Sequence, residues 1–431
     1  MPGKKGGRTA PAKAEGFRFL GFQIEGVDPT TFRSRLLQLI LLSIAVKFVV
    51  VFMTTAVFHS FLDMFDIGFY LNYAIKVLEG QIPYVDFNVE YPQLAFISIL
   101  LPLVPALLFK SGGAYALSHQ VLMCLLDAGT AILVYLLALK ITDERRAFFG
   151  GILYTTAFAA AYFVLTKYDA LPTFLLVLSL TLFVYGRETG AYLAAATGFL
   201  VKWFPLLAAP YFLLQQVKSG RNRQEIVRSM APGALLILIV ILPFLLLSPS
   251  GVLWTYTLNA GMSVLTHGLV YYLDFIAASV GLPKIFGPLS LILTLVGELL
   301  LLYVFYRRPA AKPAVLSLFI FFSVFVFVLF NKVGSPQYFL WLTPFLAIFL
   351  VDSVWEAGLF YLAQIWVYLE FPLLYNRLYN NVSGYLAPPG QFPVSAFLFF
   401  TIKFAILLGI AWVMVRKLRM SDEAAAEHGE P

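Results

Sequence analysis

Two aspartates stand three residues apart, Asp63 and Asp66, just past the first long apolar run, in the stretch DMFDIGFYLNYA. A second stretch, GQIPYVDFNVEYPQLA, follows and brings Glu90 and Tyr91. A carboxylate at the mouth of an apolar helix can act as a base, hold a metal, or face water idly. Here the aromatic residues Phe69 and Tyr70 follow Asp66, and Pro83 and Pro92 tie the segment down. A rigid, aromatic-lined carboxylate at a membrane surface is an arrangement that can deprotonate a sugar hydroxyl. Asp66 is therefore the candidate base.

If the sugar arrives on a phosphate, the departing oxygens call for cations, and Lys or Arg can meet that need in place of a metal. Lys167, Lys332, Arg377 and His267 fall in segments that can face such a site. Lys332 stands out because it ends an apolar run, within NKVGSPQYFLWLTPF from Asn331 to Phe345, a stretch that also contains Gln337. Other chemistries have no foothold. There is no phosphate-cradling Gly-rich loop, no dinucleotide fingerprint and no HExxH. The single cysteine, Cys124, lies in an apolar stretch and excludes disulfides and thiolate metal sites. Without a soluble nucleotide-binding domain, the donor is expected to be lipid-linked already. No cofactor is expected, and although the acids are compatible with a divalent cation, nothing in the sequence supports one.

The elements that must hold these groups are membrane helices. Of the 431 residues 60% are hydrophobic and only 12% charged, against about 25% charged in soluble domains. Apolar runs of about 20 residues recur, each long enough to cross the hydrocarbon, and they are continuous rather than alternating. The class is all-α polytopic membrane protein. The net charge of +7 is no nucleic-acid signal, since the Lys and Arg cluster between apolar runs, where they set orientation and meet anionic lipid headgroups. No cleavable leader is expected, because the first run starts near Leu36 and is too long for a signal sequence.

Segment 1–35 carries seven Lys/Arg against three acids, and 218–228 carries four against one. Those segments, with 140–146, 307–312 and 416–419, are expected inside. Segment 59–93 holds Asp63, Asp66, Glu79, Asp86 and Glu90 against Lys76 and is expected outside. Spans are predicted at 35–58, 114–140, 147–166, 171–186, a broken pair within 191–217, 231–248, 287–306, 313–330, 338–352, 357–371 and 395–415. That makes about twelve crossings. The run 94–109 is predicted to lie amphipathic or re-entrant on the outer side. The organisation is a basic tail (1–34), an N-terminal membrane module (35–250), a C-terminal module (251–415) with outer loops 251–286 and 372–394, and a tail (416–431). Asp127, Lys202, Glu298 and Glu370 lie within apolar spans and must face protein or a wet cavity. Asp127 is expected to point into the groove.

The sequence resembles the GT-C membrane glycosyltransferases, and within them the polyprenol-phosphate-dependent glycosyltransferase family 87. The resemblance rests on Asp66, Tyr70 and Ala74, on Gly80, Pro83 and Tyr84, and on Tyr91, Pro92 and Leu94. It continues in Lys202-Trp203-Phe204-Pro205 with Pro210 and in the Asn331–Phe345 stretch. Gln93 departs from the family's second proline. The similarity spans about residues 35–350. It implies a GT-C fold with a juxtamembrane helix after an acidic first outer loop, Asp66 as general base, and Asp169 of Lys167-Tyr168-Asp169 as a supporting or substrate-binding acid. It also implies a polyprenyl- or dolichyl-phosphate donor, with mannose first among the sugars, and a lipid-linked or surface glycan acceptor. Asp63, Tyr70, Glu90, Tyr91, Lys167, Asp169, His267, Lys332, Gln337 and Arg377 form the candidate substrate-binding set. A monomer in the plasma membrane with an extracytoplasmic site is expected. The rival reading is a flippase or transporter for a lipid-linked glycan.

Overall fold

The computed structural model describes residues 16–379 and 394–427. They form a helical bundle. Polar residues mark where the chain begins its long helices. Asp28 caps Pro29–Phe52, Ser111 caps Gly112–Leu139, and Asn222 forms a reciprocal capping box with Glu225 at the start of Arg223–Leu247. Each side chain satisfies backbone N–H groups that lack a partner in the first turn. The Gly112–Leu139 helix runs through the centre, packed by Pro29–Phe52, Glu144–Thr155 and Ala170–Val184. Arg223–Leu247 and Phe286–Tyr306 instead expose Leu235, Leu238, Ile239, Leu291, Leu295 and Leu299, as helices bordering lipid do.

Among the described residues six helices are long and apolar enough to cross a membrane, and a bent pair, Glu144–Thr155 with Phe158–Thr166, passes the same test only when its halves are taken together. That is fewer than the twelve crossings expected, and some of the predicted spans are shorter helices: Ala170–Val184 has 15 residues and Phe339–Phe349 has 11. The predicted span 147–166 is not one straight helix, because its halves meet at 52°. The predicted break within 191–217 falls at Lys202, whose backbone is extended (φ −162°, ψ 132°). Pro205 explains it: its ring would collide with the carbonyl four residues back, so the Glu188–Val201 helix ends there. Pro210 breaks nothing, since it sits in the first turn of Ala209–Lys218, where its missing N–H costs nothing.

The run 94–109 belongs to a short apolar helical segment, Gln93–Phe109. Ile97, Leu101, Val104 and Leu108 are exposed along one side, and Ala95, Ser98 and Ile99 are buried on the other.

Two expectations need correction. The chain is not purely helical, because Phe17–Phe19 and Phe22–Ile24 pair as an antiparallel hairpin, with Phe17 opposite Ile24. Nor is 1–34 simply a tail. The hairpin packs Phe17 and Phe19 edge-on against Phe32 at 5.3 and 5.1 Å and Phe22 against Tyr185 at 5.0 Å, and helix begins already at Pro29. Residues 1–15 of that expected tail lie outside the described residues, as do 380–393 of the expected outer loop 372–394. At the other end the Val394–Glu427 helix runs well past residue 416.

Candidate active site

The acidic segment is shaped by short local contacts and one distant clamp. Asp63 turns its Oδ1 back to accept the Phe65 N–H at 3.1 Å, which starts the Phe65–Leu78 helix and puts Asp66 in its first turn. A carboxylate there is favoured by the helix dipole. The Tyr162 hydroxyl, on the Phe158–Thr166 helix, donates to Phe61 O and accepts the Asp63 N–H, both at 3.0 Å. The later part, 79–92, is held from the other side. Thr255 Oγ1 donates to Val89 O at 2.8 Å, and the Tyr84 carbonyl lies so close to Gly251 that a Cβ there would sit 1.8 Å from its oxygen. Only glycine permits that approach.

Lys167 follows the last turn of the helix that carries Tyr162. Its backbone is extended (φ −134°, ψ 165°), and its N–H is still tied to Phe163 O at 2.8 Å. The side chain is buried. Its Nζ lies 2.7 Å from Asp63 Oδ2 and 2.9 Å from Asp66 Oδ2. Lys167 therefore answers the two aspartates, not a leaving phosphate as its sequence position suggested. Burial disfavours its charge, but Asp66 and Asp63 together outweigh that and raise its pKa above the usual lysine range, so it remains an ammonium.

The same contacts separate the aspartates. Asp63 spends one oxygen on the Phe65 N–H and the other on Lys167. Asp66 gives Oδ2 to Lys167, and among the described residues no hydrogen bond reaches its Oδ1. Burial raises the Asp66 pKa; Lys167 pulls the other way, and Asp63 and Asp169 add to the rise. Its carboxyl is thus more basic than an ordinary aspartate. Glu90, on the exposed side of the loop, is also raised, by desolvation first and by the charge of Asp66 second.

Tyr70, Tyr91 and Tyr168 meet edge to face next to this pair, with ring centroids 5.0 to 5.7 Å apart. Burial, reinforced by the surrounding carboxylates and phenols, holds all three hydroxyls well above pKa 10. They are neutral donors or stacking faces and cannot be bases. The site therefore offers an open oxygen on Asp66, the exposed carboxylate of Glu90, a fixed ammonium and a wall of neutral rings.

Asp169 lies beyond that wall and is fully buried. Its Oδ1 accepts from Lys202 Nζ and from Trp341 Nε1, both at 2.7 Å, and Gln337 Nε2 donates to its Oδ2 at 3.4 Å. Both of its oxygens are thus engaged by protein donors. Lys202 is released from the helix at the Pro205 break and is boxed by Tyr168, Tyr338 and Trp341, its Nζ 4.9 to 5.6 Å from their ring centroids. Trp341 itself stacks on Phe204 and Tyr338 at 4.1 Å.

Gln337 ties Asp169 to the Asn331–Phe345 segment, and that segment leads on to the other candidates. Leu265 N donates to Lys332 O at 2.9 Å, so the loop bearing His267 lies against Lys332. His267 is buried, and its carbonyl accepts from Lys403 Nζ at 3.1 Å, which also pairs with buried Glu370 at 2.8 Å. Burial, and Lys403 second, depress the His267 pKa to about 3, so it is neutral and cannot serve as a cation for a phosphate. Arg377 is exposed on the Tyr375–Tyr379 turn and touches none of the carboxylates.

Tyr162, Trp341, Lys202 and Lys403 are the groups that motif reading missed as site builders. Lys202, inside KWFP, and Trp341, inside the Asn331–Phe345 stretch, carried a signal; Tyr162 and Lys403 carried none. Asp127 does not reach the groove. It pairs with Lys47 and accepts from the Tyr154 hydroxyl at 2.7 Å inside the bundle. Glu298 likewise accepts from Ser323 Oγ at 2.5 Å.

No protein-family model and no curated protein sequence matches the chain. Solved structures do resemble it. The crystal structure of ArnT from Cupriavidus metallidurans bound to undecaprenyl phosphate superposes with a TM-score of 0.52 at 16% identity, covering 91% of this chain and 74% of that one. That of an oligosaccharyltransferase from Archaeoglobus fulgidus in the apo form gives 0.46 at 13% identity, covering 92% and 56%. At such identities the likeness to ArnT speaks for the fold alone. The chain shares the fold of ArnT over 91% of its length.

Proposed function

We propose that this chain is an inverting membrane glycosyltransferase that takes a monosaccharide from a polyprenyl or dolichyl phosphate. It passes the sugar to a lipid-linked or cell-surface glycan on the extracytoplasmic face. Mannose is the sugar that the sequence resemblance favours. The observation that carries the reading is Asp66, a raised-pKa carboxylate with one oxygen pinned by Lys167 and the other open beside neutral tyrosines.

In the step, Asp66 Oδ1 takes the proton of the acceptor hydroxyl as its oxygen attacks the anomeric carbon. The bond from that carbon to the phosphate oxygen breaks, and the polyprenyl phosphate leaves with the electron pair. Attack opposite the leaving group inverts the configuration. Asp63 and Lys167 keep the Asp66 side chain in place, Tyr91 and Glu90 are the groups proposed to meet the acceptor with buried Tyr70 packed behind them, and Asp169 with Gln337 is proposed to support them. Lys332 and Arg377 are the cations proposed for the leaving phosphate. His267, buried and neutral, is placed to shape its loop.

A lipid carrier also has a place to lie. Val49, Met53, Phe58, Phe158, Tyr368 and Leu373 line an apolar groove of about 420 Å³. Tyr368 at its floor is 6.1 Å, ring to ring, from Tyr162, which clamps the acidic segment. ArnT was crystallised with undecaprenyl phosphate, a carrier of the class proposed here.

The test is a panel of radiolabelled polyprenyl-phosphate sugars incubated with purified protein and membrane glycolipid acceptors. Label should move to the acceptor from one sugar of the panel with inverted configuration. Transport of lipid-linked glycan across vesicles without any transfer would favour the flippase reading instead.

A further inference from the structure

Two carboxylates that converge on one point ordinarily attract a divalent cation, because hard dications seek several oxygen ligands. In this site the point of convergence is filled. The Lys167 ammonium stands 2.7 Å from Asp63 Oδ2 and 2.9 Å from Asp66 Oδ2, with its side chain 8% exposed.

We propose that Lys167 is the resident cation of the centre, holding the place between Asp63 and Asp66 that a divalent ion would otherwise take. The role given to Asp66 rests on the glycosyltransfer reading above; the occupancy by Lys167 does not. Three features of the structure support it.

The ammonium and the carboxylates are fixed to one another by a common element. Tyr162 and Lys167 come from the same short helix, the first clamping the backbone of the Asp63 segment and the second its side chains. Among the described residues no third acid converges on the pair, so a dication there would have to complete its shell largely with water. Asp169, two residues on, is taken by Lys202 and Trp341, and among the described residues no group of three His, Cys, Asp or Glu side chains converges as a metal requires. Finally, the 2.7 and 2.9 Å contacts are ammonium–carboxylate hydrogen-bond lengths, longer than the roughly 2.0–2.6 Å of a dication's ligand bonds.

The exchange matters for chemistry. A dication bound to Asp66 would hold its electrons more tightly than one ammonium does and weaken it as a base. Lys167 aligns the carboxylate, leaves the trio of side chains with a net charge of −1, and keeps Oδ1 open. It is a positioning residue.

Metal binding to the full-length purified protein tests this directly. Mn²⁺ binding is followed by electron paramagnetic resonance for the wild type, Lys167→Ala, Lys167→Gln and the double variant Lys167→Ala with Asp63→Asn. At Mn²⁺ up to about 1 mM, a concentration that suits sparse carboxylate sites, the wild type should take up none. The Lys167 variants should take up about one equivalent, and the double variant none. In the transfer assay EDTA should leave the wild-type rate within about twofold, while Lys167→Ala loses at least about tenfold and regains part of it with Mn²⁺.

The proposal is overturned if folded Lys167→Ala and Lys167→Gln bind no Mn²⁺. It is overturned equally if the wild type binds one equivalent that Asp63→Asn abolishes, or if EDTA silences the wild type and Mn²⁺ restores it. The wild-type arms need no variant to fold, and the Mn²⁺ arms need no activity. A failure of the glycosyltransfer reading therefore leaves the metal result standing.

Discussion

Replacing each aspartate of the pair by asparagine separates their roles, because the contacts of the two differ. In Asp66→Asn the amide oxygen can still accept from Lys167 at the 2.9 Å position, and Asp63 still neutralises the ammonium. The fold should survive, while the group facing the acceptor can no longer take a proton. General-base catalysis is worth roughly 10²–10⁴-fold, about 3–5 kcal/mol of activation free energy. The expected result is a fall of that size in kcat with donor KM nearly unchanged, since the donor binds through other groups. Asp63→Asn loses instead a charged partner of Lys167 and leaves Asp66 as its single counter-ion. The open Oδ1 remains, so the expected loss is about tenfold, one bond's worth of positioning. The assay is single-turnover transfer from the radiolabelled donor, with size-exclusion profiles and thermal unfolding in detergent as controls on folding. Equal losses in the two variants, or an Asp66→Asn enzyme within tenfold of wild type, would refute the assignment of the base.

Other outcomes follow from the same geometry. Since Asp66 works deprotonated and burial raises its pKa, kcat/KM should rise with pH through a limb above the ordinary aspartate value of 3.8. Lys167→Gln removes the nearby charge that lowers this pKa, so its limb should move to still higher pH. Deep in the bundle, Lys47→Met or Asp127→Leu alone strands the buried partner of an ion pair and should cost about 3–5 kcal/mol. The double replacement should lie closer to wild type, as read from unfolding in detergent. In a Cys124→Ala background, cysteines placed at Glu79 and Asp86 should react with an impermeant reagent added from outside; labelling only from the cytosolic side would place the proposed reaction centre in the wrong compartment.

Much of the class was legible in the chain before any fold was known. Continuous apolar runs can be satisfied in lipid only as helices, so the helical bundle followed from composition and run length. A proline's effect is local, so a break within 191–217 was readable, although its position at Lys202 depended on which carbonyl the Pro205 ring would strike. The hairpin at 17–24 escaped notice because six alternating residues give little periodic signal beside a basic stretch.

By itself, then, the order of residues determined the solvent of this protein, the helical class, and the aromatic-flanked acid on which the functional reading turns. These are properties of single residues and near neighbours. The tertiary structure decided which charges meet. Lys167 reaches Asp63 across 104 positions, Lys47 reaches Asp127 across 80, and Trp341 reaches Asp169 across 172. Such pairings depend on how helices pack, which no local pattern encodes. They turned Asp127 from an expected groove acid into a clasp and Lys167 from an expected phosphate ligand into the partner of the proposed base. They also left Asp66, and not Asp63, with an oxygen to spare.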